Sequence, residues 1–204
     1  MIFGISASKI WLSIGQTVYM VGISLLAGLL IAFPLAIILF LTRKGGIKQN
    51  QIVYNIISAI INIIRSVPFI ILIVYIMPFT KAIVGTRVGS TAALVPLTAY
   101  IAPYLARLIE NALFETDKGI IEASQAMGAT IFQTIFKFVL PEAKGSIILG
   151  ITTGTVGLLG ATAMAGAVDA LLGSAFAAGV ASLIFAFGAV LIFCFLTTAG
   201  RTCF

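Results

Sequence analysis

Long uncharged apolar stretches alternate along the chain with short segments that carry charged side chains. The first uncharged stretch runs from Ile10 to Thr42, and three more follow at Val88–Ala106, Gly145–Val168 and Ala170–Gly200. A helix that rises 1.5 Å per residue needs about 20 residues to cross a hydrocarbon core of about 30 Å. Each stretch is about this long or longer, so the pattern predicts four membrane-spanning helices.

The segment Gln49–Thr80 needs a different interpretation because Arg65 interrupts it. Ser66–Thr80 alone would reach only about 22 Å as a helix, which is too short to cross. We therefore expect the helix to begin before Arg65 and to kink or restart at Pro68. Its polar residues recur at intervals of four and three positions, which places them on one stripe of the helix: Gln51, Asn55, Ser58, Asn62 and Arg65.

These patterns predict an all-α polytopic membrane protein with about five transmembrane helices in a single transmembrane domain, 1–204. The predicted spans cover approximately residues 11–41, 53–79, 88–107, 145–168 and 172–199. The composition agrees, since 61% of the residues are hydrophobic and 9% are charged. A typical soluble domain carries roughly a quarter charged residues, so this chain could not cover a water-facing surface of its own size.

The basic residues predict the orientation of the chain, because Lys and Arg concentrate in the cytoplasmic segments of membrane proteins. With the N-terminus outside, most of them fall on the cytoplasmic side: Arg43, Lys44, Lys48, Lys118, Lys137, Lys144 and Arg201. The outer side then keeps Lys9, Lys81 and Arg87. We therefore predict that the N-terminus lies outside and the C-terminus inside.

The scarcity of reactive side chains excludes several kinds of chemistry. The chain has no histidine, two cysteines and six acids, which rules out His-dependent triads and His or Cys zinc sites. We predict no catalytic and no metal-binding residues. The basic residues occur singly between apolar stretches, which does not indicate nucleic acid as a partner. No Gly-x-x-x-x-Gly-Lys-Ser/Thr segment occurs, so the chain cannot bind ATP phosphates in the P-loop manner.

The segment between the third and fourth predicted spans, Arg107–Lys144, holds half of the charged residues. Its first part predicts a short helix, because Asp117 and Gly119 precede the apolar run Ile120–Met127. Gly128 is placed to end that helix. Such a segment is either an amphipathic connector on the lipid surface or an element that protrudes from the membrane and docks against a soluble partner.

A second short helix is predicted directly afterwards. Thr130 and Gln133 match a capping box that would open a helix over Ile131–Val139. Pro141 is expected to end this helix before the fourth span. Further upstream, Arg107 and Glu110 are three residues apart at the inner end of the third span and are expected to form an ion pair.

Several motifs together resemble a known family. Glu122-Ala123-Ser124, followed by Gly128 and Leu140-Pro141, resembles the EAA loop of binding-protein-dependent ABC importer permeases. More narrowly, six segments resemble the methionine-uptake permeases: Arg65–Ile70, Met77–Thr80, Ile83–Thr86, Val95–Thr98, Glu122–Thr130 and Ala163–Val168. The resemblance runs from about Trp11 to Val168. Beyond it the chain departs from the family pattern of a Gly-Leu-Gly loop and a last helix that ends in several basic residues.

The resemblance implies a permease subunit of an ATP-driven amino-acid importer in the bacterial inner membrane, most narrowly for D- or L-methionine. It implies a homodimer, ABC ATPase subunits that bind the ATP and Mg, and a periplasmic or lipoprotein substrate-binding protein. The chain itself would hold no cofactor. Within the loop 115–142, the resemblance makes Ile120–Gly128 the coupling helix, whose ATPase contact would involve Glu122, Ala123, Ser124, Met127, Gly128 and Ala129.

Other residues have two interpretations each. The polar stripe of Asn55, Ser58 and Asn62 either faces a water-filled pathway or is the cytoplasmic end of the second span among lipid headgroups. A face of small residues on the fourth span serves either packing within the chain or a close contact across a dimer axis: Gly150, Gly154, Gly157 and Ala161. Met164 is either a filler in that helix or part of an outer gate.

The sequence leaves two alternatives to a methionine permease open. An ABC permease for another amino acid would share the composition, since only the resemblance points to methionine. A self-contained secondary transporter would need residues for ion coupling, and these are often acids or histidines within the membrane. Here every acid falls near a predicted interface, so the second rival lacks an obvious coupling residue.

Overall fold

The structure, a computed structural model of the chain, describes residues 7–46, 48–86 and 89–172. Within these ranges all regular elements are helical: α1 (Ala7–Thr42), α2 (Gln51–Ser66), α3 (Phe69–Val84), α4 (Ser90–Phe114), α5 (Lys118–Ala126), α6 (Ile131–Gln133), a π-helix (Thr134–Val139) and α7 (Leu140–Leu172). The predicted fifth span, 172–199, lies almost entirely outside the described residues. The all-α class of the sequence analysis is confirmed.

The chain divides into two compact units. The first comprises Met1–Met20, Val67–Leu97 and Gly160–Phe204, and the second comprises Val21–Ser66 and Thr98–Leu159. The described part of the first unit contains α3. The second unit contains α2, α5, α6 and the π-helix, so the candidate functional residues of the loop 115–142 all belong to it.

Three helices in the described part of the chain are long and apolar enough to cross a membrane: Trp11–Thr42, Ser90–Phe114 and Ile131–Val168. The helices α2 and α3 meet the same criteria only as a pair, across the break between them. The chain is therefore polytopic, as predicted, while the number of spans and their orientation remain predictions.

The break between α2 and α3 lies where the sequence places Pro68. Proline disfavours helical geometry in the residue before it, so α2 ends at Ser66. Pro68 has ψ of 137° and is the N-cap of α3. Its carbonyl oxygen accepts hydrogen bonds from the N–H groups of Ile71, at 2.9 Å, and Leu72, at 3.1 Å. The helix thus restarts after Pro68, which is one of the two outcomes expected there.

The expected helix end at Pro141 is wrong. The chain stays helical through Pro141, and Ile131–Val168 forms one continuous apolar helix of 38 residues. A proline inside an α-helix clashes with the carbonyl four residues earlier. Here the π-helix Thr134–Val139 lies just before Pro141, and a local π-helical adjustment is one way in which a membrane helix tolerates a proline.

Within the second unit, α4 supplies a buried stripe at helical spacing. Ile101, Leu105, Ile109 and Leu113 are each 0% exposed. Small residues allow close approach of other helices to this stripe. A Cβ atom on Gly28 of α1 would lie 2.5 Å from Ile101 Cγ2, so glycine is what permits this contact.

The small residues on the predicted face of α7 differ in whether they contact α4. A Cβ atom on Gly154 would lie 2.6 Å from Leu105 Cδ2, and one on Gly150 would lie 3.2 Å from Leu108 Cβ. These two glycines therefore pack against α4 of the same chain. A Cβ atom on Gly157 would meet none of the described residues within 4 Å, whereas Ala161 is 4% exposed. Packing within the chain thus accounts for Gly150 and Gly154, while Gly157 has no such contact in the part of the chain that the structure describes.

Candidate functional site

The short helix α5 is fixed at its N-terminus by a side-chain cap. Asp117 Oδ1 accepts a hydrogen bond from the N–H group of Gly119 at 2.8 Å. This bond satisfies one of the backbone donors that a helix leaves free at its start. Asp117 also follows closely on the end of α4 at Phe114, so only three residues join the two helices.

The C-terminus of α5 ends in a Schellman motif. Gly128 has φ of +77°, a left-handed conformation that glycine adopts without the cost of a Cβ atom. The N–H groups of Gly128 and Ala129 donate to the carbonyl oxygens of Gln125, at 2.9 Å, and Ser124, at 3.0 Å. This pairing is the signature of the motif, and it confirms that Gly128 ends the helix.

The next segment begins with the predicted capping box. The Thr130 hydroxyl accepts from the N–H group of Gln133 at 3.4 Å, and the Gln133 side chain accepts from the N–H group of Thr130 at 3.0 Å. These reciprocal bonds start the helix that continues as the π-helix and α7. Both ends of the Gly128–Thr130 turn are therefore fixed by local hydrogen bonds.

A buried pair of hydroxyl groups joins α5 to the π-helix. The oxygens of Ser124 and Thr134 are hydrogen-bonded at 3.1 Å, and both residues are 0% exposed. Ser124 also bonds the carbonyl oxygen of Ile121 at 2.8 Å. We call the segment from Asp117 to Val139, which these contacts hold together, the loop clamp.

Most of the residues predicted to contact an ATPase are exposed on the accessible surface of the loop clamp. Glu122, Ala123, Met127 and Gly128 are exposed, and Met127 is 69% exposed. Two predicted residues do not lie on this surface: Ser124 is buried, as described above, and Ala129 is half-buried. The structure thus brings four of the six predicted residues onto an accessible surface.

A second set of polar residues surrounds Arg107 on α4. Arg107 Nη1 donates to Glu110 Oε2 at 2.7 Å, which confirms the predicted ion pair. The Glu110 side chain is 1% exposed and that of Arg107 is 14% exposed. Charges buried to this degree need partners for their remaining hydrogen-bonding atoms.

Residues of α2 supply those partners for Arg107. Nη1 lies 3.5 Å from the Tyr54 hydroxyl. Nη2 donates to the Ser58 hydroxyl, to the Ser58 carbonyl oxygen at 3.4 Å and to Asn62 Oδ1 at 3.3 Å. Tyr54, Ser58 and Asn62 are four positions apart and therefore lie on one face of α2. We call these three residues with Arg107 and Glu110 the arginine cluster.

The end of α1 reaches the same carboxylate. Glu110 Oε1 makes no hydrogen bond within the described residues, but Arg43 Nη1 lies 3.8 Å from it. The Arg43 guanidinium also lies over the Phe114 ring, 3.9 Å from its centroid, a cation–π arrangement. Arg107 on α4 and Arg43, the first residue after α1, thus share one buried acid.

The polar stripe predicted on α2 is divided between two sets of contacts. Ser58 and Asn62 belong to the arginine cluster, whereas Asn55 Oδ1 accepts from Gln51 Nε2 at 3.1 Å on the exposed side. The sequence analysis predicted the stripe but missed its partner Arg107. A signal was present, since the predicted orientation puts Arg43, Arg107 and the start of α2 at the same membrane face.

Met164, the residue predicted to form an outer gate, is a member of neither set. Met164 on α7 is 47% exposed and belongs to the first unit. In the described part of the chain, no group of three or more His, Cys, Asp or Glu side chains is placed to hold a metal ion.

The described helices define a polytopic membrane protein with a short helix, α5, that is capped at both ends, and comparisons place the chain in a family. Residues 24–202 match the family model described as binding-protein-dependent transport system inner membrane component. The D-methionine transport system permease protein MetI of Salmonella typhi is 45% identical over 164 residues, which cover 79% of this chain and 76% of that protein. The methionine import system permease protein MetP of Bacillus subtilis (strain 168) is 46% identical over 164 residues, with 80% and 74% covered.

A solved structure agrees with these relatives. A structure of inward-facing conformations of the MetNI methionine ABC transporter matches with a TM-score of 0.77 and 39% identity, covering 93% of this chain and 95% of that chain. The chain belongs to the family of binding-protein-dependent transport system inner membrane components. It is therefore an inner-membrane permease subunit rather than an enzyme. The family match extends beyond Val168, where the resemblance in the sequence motifs ended.

Proposed function

We propose that the chain is the permease subunit of an ATP-driven importer of methionine and forms its translocation pathway. The observation that carries this proposal is the similarity to methionine permeases, at 45% identity in Salmonella typhi and 46% in Bacillus subtilis. The match to the MetNI methionine ABC transporter along 93% of the chain supports the same substrate.

The proposed assembly has several parts. Two copies of the chain form a homodimer, and each copy binds an ABC ATPase subunit that holds the ATP and Mg²⁺. A periplasmic or lipoprotein binding protein delivers the amino acid from outside. The lack of a P-loop segment in this chain supports a separate energy source. In this assembly the chain has five spans, with the N-terminus outside and the C-terminus inside.

The proposed contact with the ATPase is the exposed surface of α5. Glu122 offers a charged handle for a partner, and Ala123 and Gly128 are small enough to let a cleft approach closely. Capping at Asp117 and Gly128 keeps the helix formed without a partner. A helix that is already folded loses little conformational freedom on docking, which favours binding.

The proposed mechanism follows from how the loop clamp is attached. Because α4 leads into α5 through three residues and the π-helix leads directly into α7, a displacement of α5 acts on two spans at once. Closure of the ATPase dimer would move α5 as a rigid body and switch access to the pathway between the two sides.

Two features are proposed parts of the pathway. Met164 on α7 would form part of an outer gate, where a flexible thioether can seal an irregular opening. Of the polar stripe on α2, Asn55 is the member most accessible to a water-filled route, because Ser58 and Asn62 are engaged with Arg107.

The proposed function is tested by uptake of labelled methionine in cells that lack their own system. The chain is co-expressed with its ATPase and binding protein, and Glu122→Ala serves as the uncoupled variant. We expect ATP-dependent uptake for the unaltered chain and a loss of at least about fivefold for the variant, with the ATPase still co-purifying. Glu142→Ala is the matched control, because Glu142 is also an exposed acid but lies in α7.

Three outcomes would contradict parts of the proposal. Absence of methionine uptake, together with ATP-dependent uptake of a labelled polar amino acid by the same complex, would identify another substrate. Undiminished uptake by Glu122→Ala would remove α5 as the coupling element. Uptake without ATPase co-purification would indicate a self-contained transporter.

A further inference from the structure

Few apolar side chains of helix α2 are buried against other helices in the described structure. Ile61 is its only buried residue, and several of its isoleucines are exposed, with Ile52 at 73% and Ile56 at 56%. Apolar side chains gain nothing by leaving a lipid environment, so helices inside a bilayer associate through close packing and hydrogen bonds. The polar contacts of α2 are therefore the ones that determine its position.

Arg107 provides most of those contacts. Its two terminal nitrogens reach Tyr54, Ser58 and Asn62, which cover two turns of α2. A second, weaker contact places the Arg65 guanidinium 5.5 Å from the centroid of the Tyr104 ring. A planar guanidinium with five donors can bind several acceptors in a fixed geometry, which a lysine cannot do.

Glu110 sets the direction in which Arg107 points. Its carboxylate binds Nη1 at 2.7 Å on the same helix, which leaves Nη2 directed at Ser58 and Asn62. Charge-assisted hydrogen bonds of this kind are stronger than neutral ones. The guanidinium is thus held in place before α2 adds its own acceptors.

The cluster lies on the helix that leads to the coupling loop. Three residues join α4 to α5, and the end of α4 is also tied to α7, because the Ser146 hydroxyl donates to Glu115 Oε2 at 2.8 Å. Chain connectivity therefore transfers any displacement of α5 to α4 and α7. No such short connection leads from α5 to α2.

We propose that Arg107 is a positioning residue that makes α2 move with α4, so that the displacement of α5 reaches a third helix. This inference rests on the proposed function. Without Arg107, the attachments left to α2 among the described residues would be the chain connections, the packing of Ile61 and the Arg65–Tyr104 contact. Loss of the cluster would therefore lower the amount of substrate moved per ATP without preventing assembly or hydrolysis.

The test uses the permease in complex with its ATPase and binding protein, reconstituted in vesicles. The double variant Ser58→Ala/Asn62→Ala removes the two α2 side chains that accept from Arg107 Nη2 and keeps the charge pair intact. Arg107→Lys keeps the charge but loses the planar guanidinium with its several donors. We expect each to lower methionine imported per ATP hydrolysed by at least about fivefold. The triple variant should be no worse than Arg107→Lys alone, because Arg107→Lys already removes the contacts that the other two changes would remove.

The matched control is Ser66→Ala. Ser66 is an exposed hydroxyl residue on the same helix, but it donates to the carbonyl oxygen of Asn62 in that helix rather than contacting Arg107, so the ratio of import to hydrolysis should stay within about twofold of the unaltered chain. Equal behaviour of the double variant and Ser66→Ala would overturn the proposal. So would effects that multiply in the triple variant.

A second measurement separates this inference from the proposed function. Nitroxide labels are placed at the exposed positions Ile56 on α2 and Asn111 on α4, and the distance between them is recorded in the ATPase complex. We expect one narrow distribution in the unaltered chain and a broader one in Ser58→Ala/Asn62→Ala. An unchanged distribution would overturn the positioning role. Broadening without methionine import in the unaltered chain would retain that role and reject the proposed function.

Discussion

Ser124 lies in the middle of the exposed loop segment, yet its side chain faces inward. Its hydroxyl bonds Thr134 and the Ile121 carbonyl, and the residue is 0% exposed. Removal of one partner from a buried hydrogen bond leaves the other without its bond, whereas removal of both can be nearly neutral. The two hydroxyls should therefore depend on each other energetically.

We predict that Ser124→Ala and Thr134→Val each destabilise the purified complex by about 1–3 kcal/mol. The double variant should lose less than the sum of the two single changes. Thermal unfolding of the four proteins measures this coupling. Thr152→Val is the control, because Thr152 is exposed and its hydroxyl donates to the carbonyl oxygen of Ile148 in its own helix. Strictly additive losses would contradict a direct bond.

At the scale of the elements, the packing of α4 and α7 depends on glycine. Gly154 faces Leu105, which is 0% exposed, and a Cβ atom there would lie 2.6 Å from Leu105 Cδ2. A larger side chain must displace Leu105 or separate the helices. Either response disturbs the close packing on which helix association in a membrane depends.

We predict that Gly154→Val lowers the stability of the complex by about 1–3 kcal/mol, the usual cost of overpacking. Gly145→Val is the matched control, because Gly145 is also in α7 and a Cβ atom there meets nothing within 4 Å. Thermal unfolding of both variants compares them directly. Equal losses of stability in the two variants would show that the effect comes from helix propensity rather than from the contact with Leu105.

Elements were more predictable from the sequence than the contacts between them. Local signals sufficed for α5, because the Asp117 cap, the positive φ of Gly128 and the Thr130–Gln133 box are all encoded within a few residues. The helix end expected at Pro141 failed because the π-helix before it has no simple sequence signature. The bond of Arg107 to Ser58 and Asn62 joins residues about fifty positions apart, and a helical stripe does not reveal its partner.

At the scale of the whole molecule, the proposed homodimer needs a surface on each chain. Gly157 is the member of the small-residue face on α7 at which an added Cβ atom meets no described residue within 4 Å. The space beside Gly150 and Gly154, by contrast, is filled by leucine side chains of α4. The open position is therefore the one available to a second copy.

We predict that a Gly157→Cys variant cross-links two copies under mild oxidation, in a background where Cys194 and Cys203 are replaced by serine. Gly150→Cys should not cross-link, because Leu108 covers that position. Gel electrophoresis without reductant distinguishes the two. Cross-linking of Gly150→Cys alone would show that the dimer uses another face.

The ion pair of Arg107 and Glu110 has a consequence for how the protein is made. A single Arg or Asp costs about 2.5–3.5 kcal/mol at the centre of an inserting helix on the biological insertion scale, and less toward the end of the helix, where Arg107 and Glu110 lie. Arg107 and Glu110 lie three residues apart on one helix and contact each other at 2.7 Å, a bond that needs no other helix. Helix α4 can therefore enter the bilayer during synthesis with its two charges already neutralised, before α2 or α1 has taken its final position.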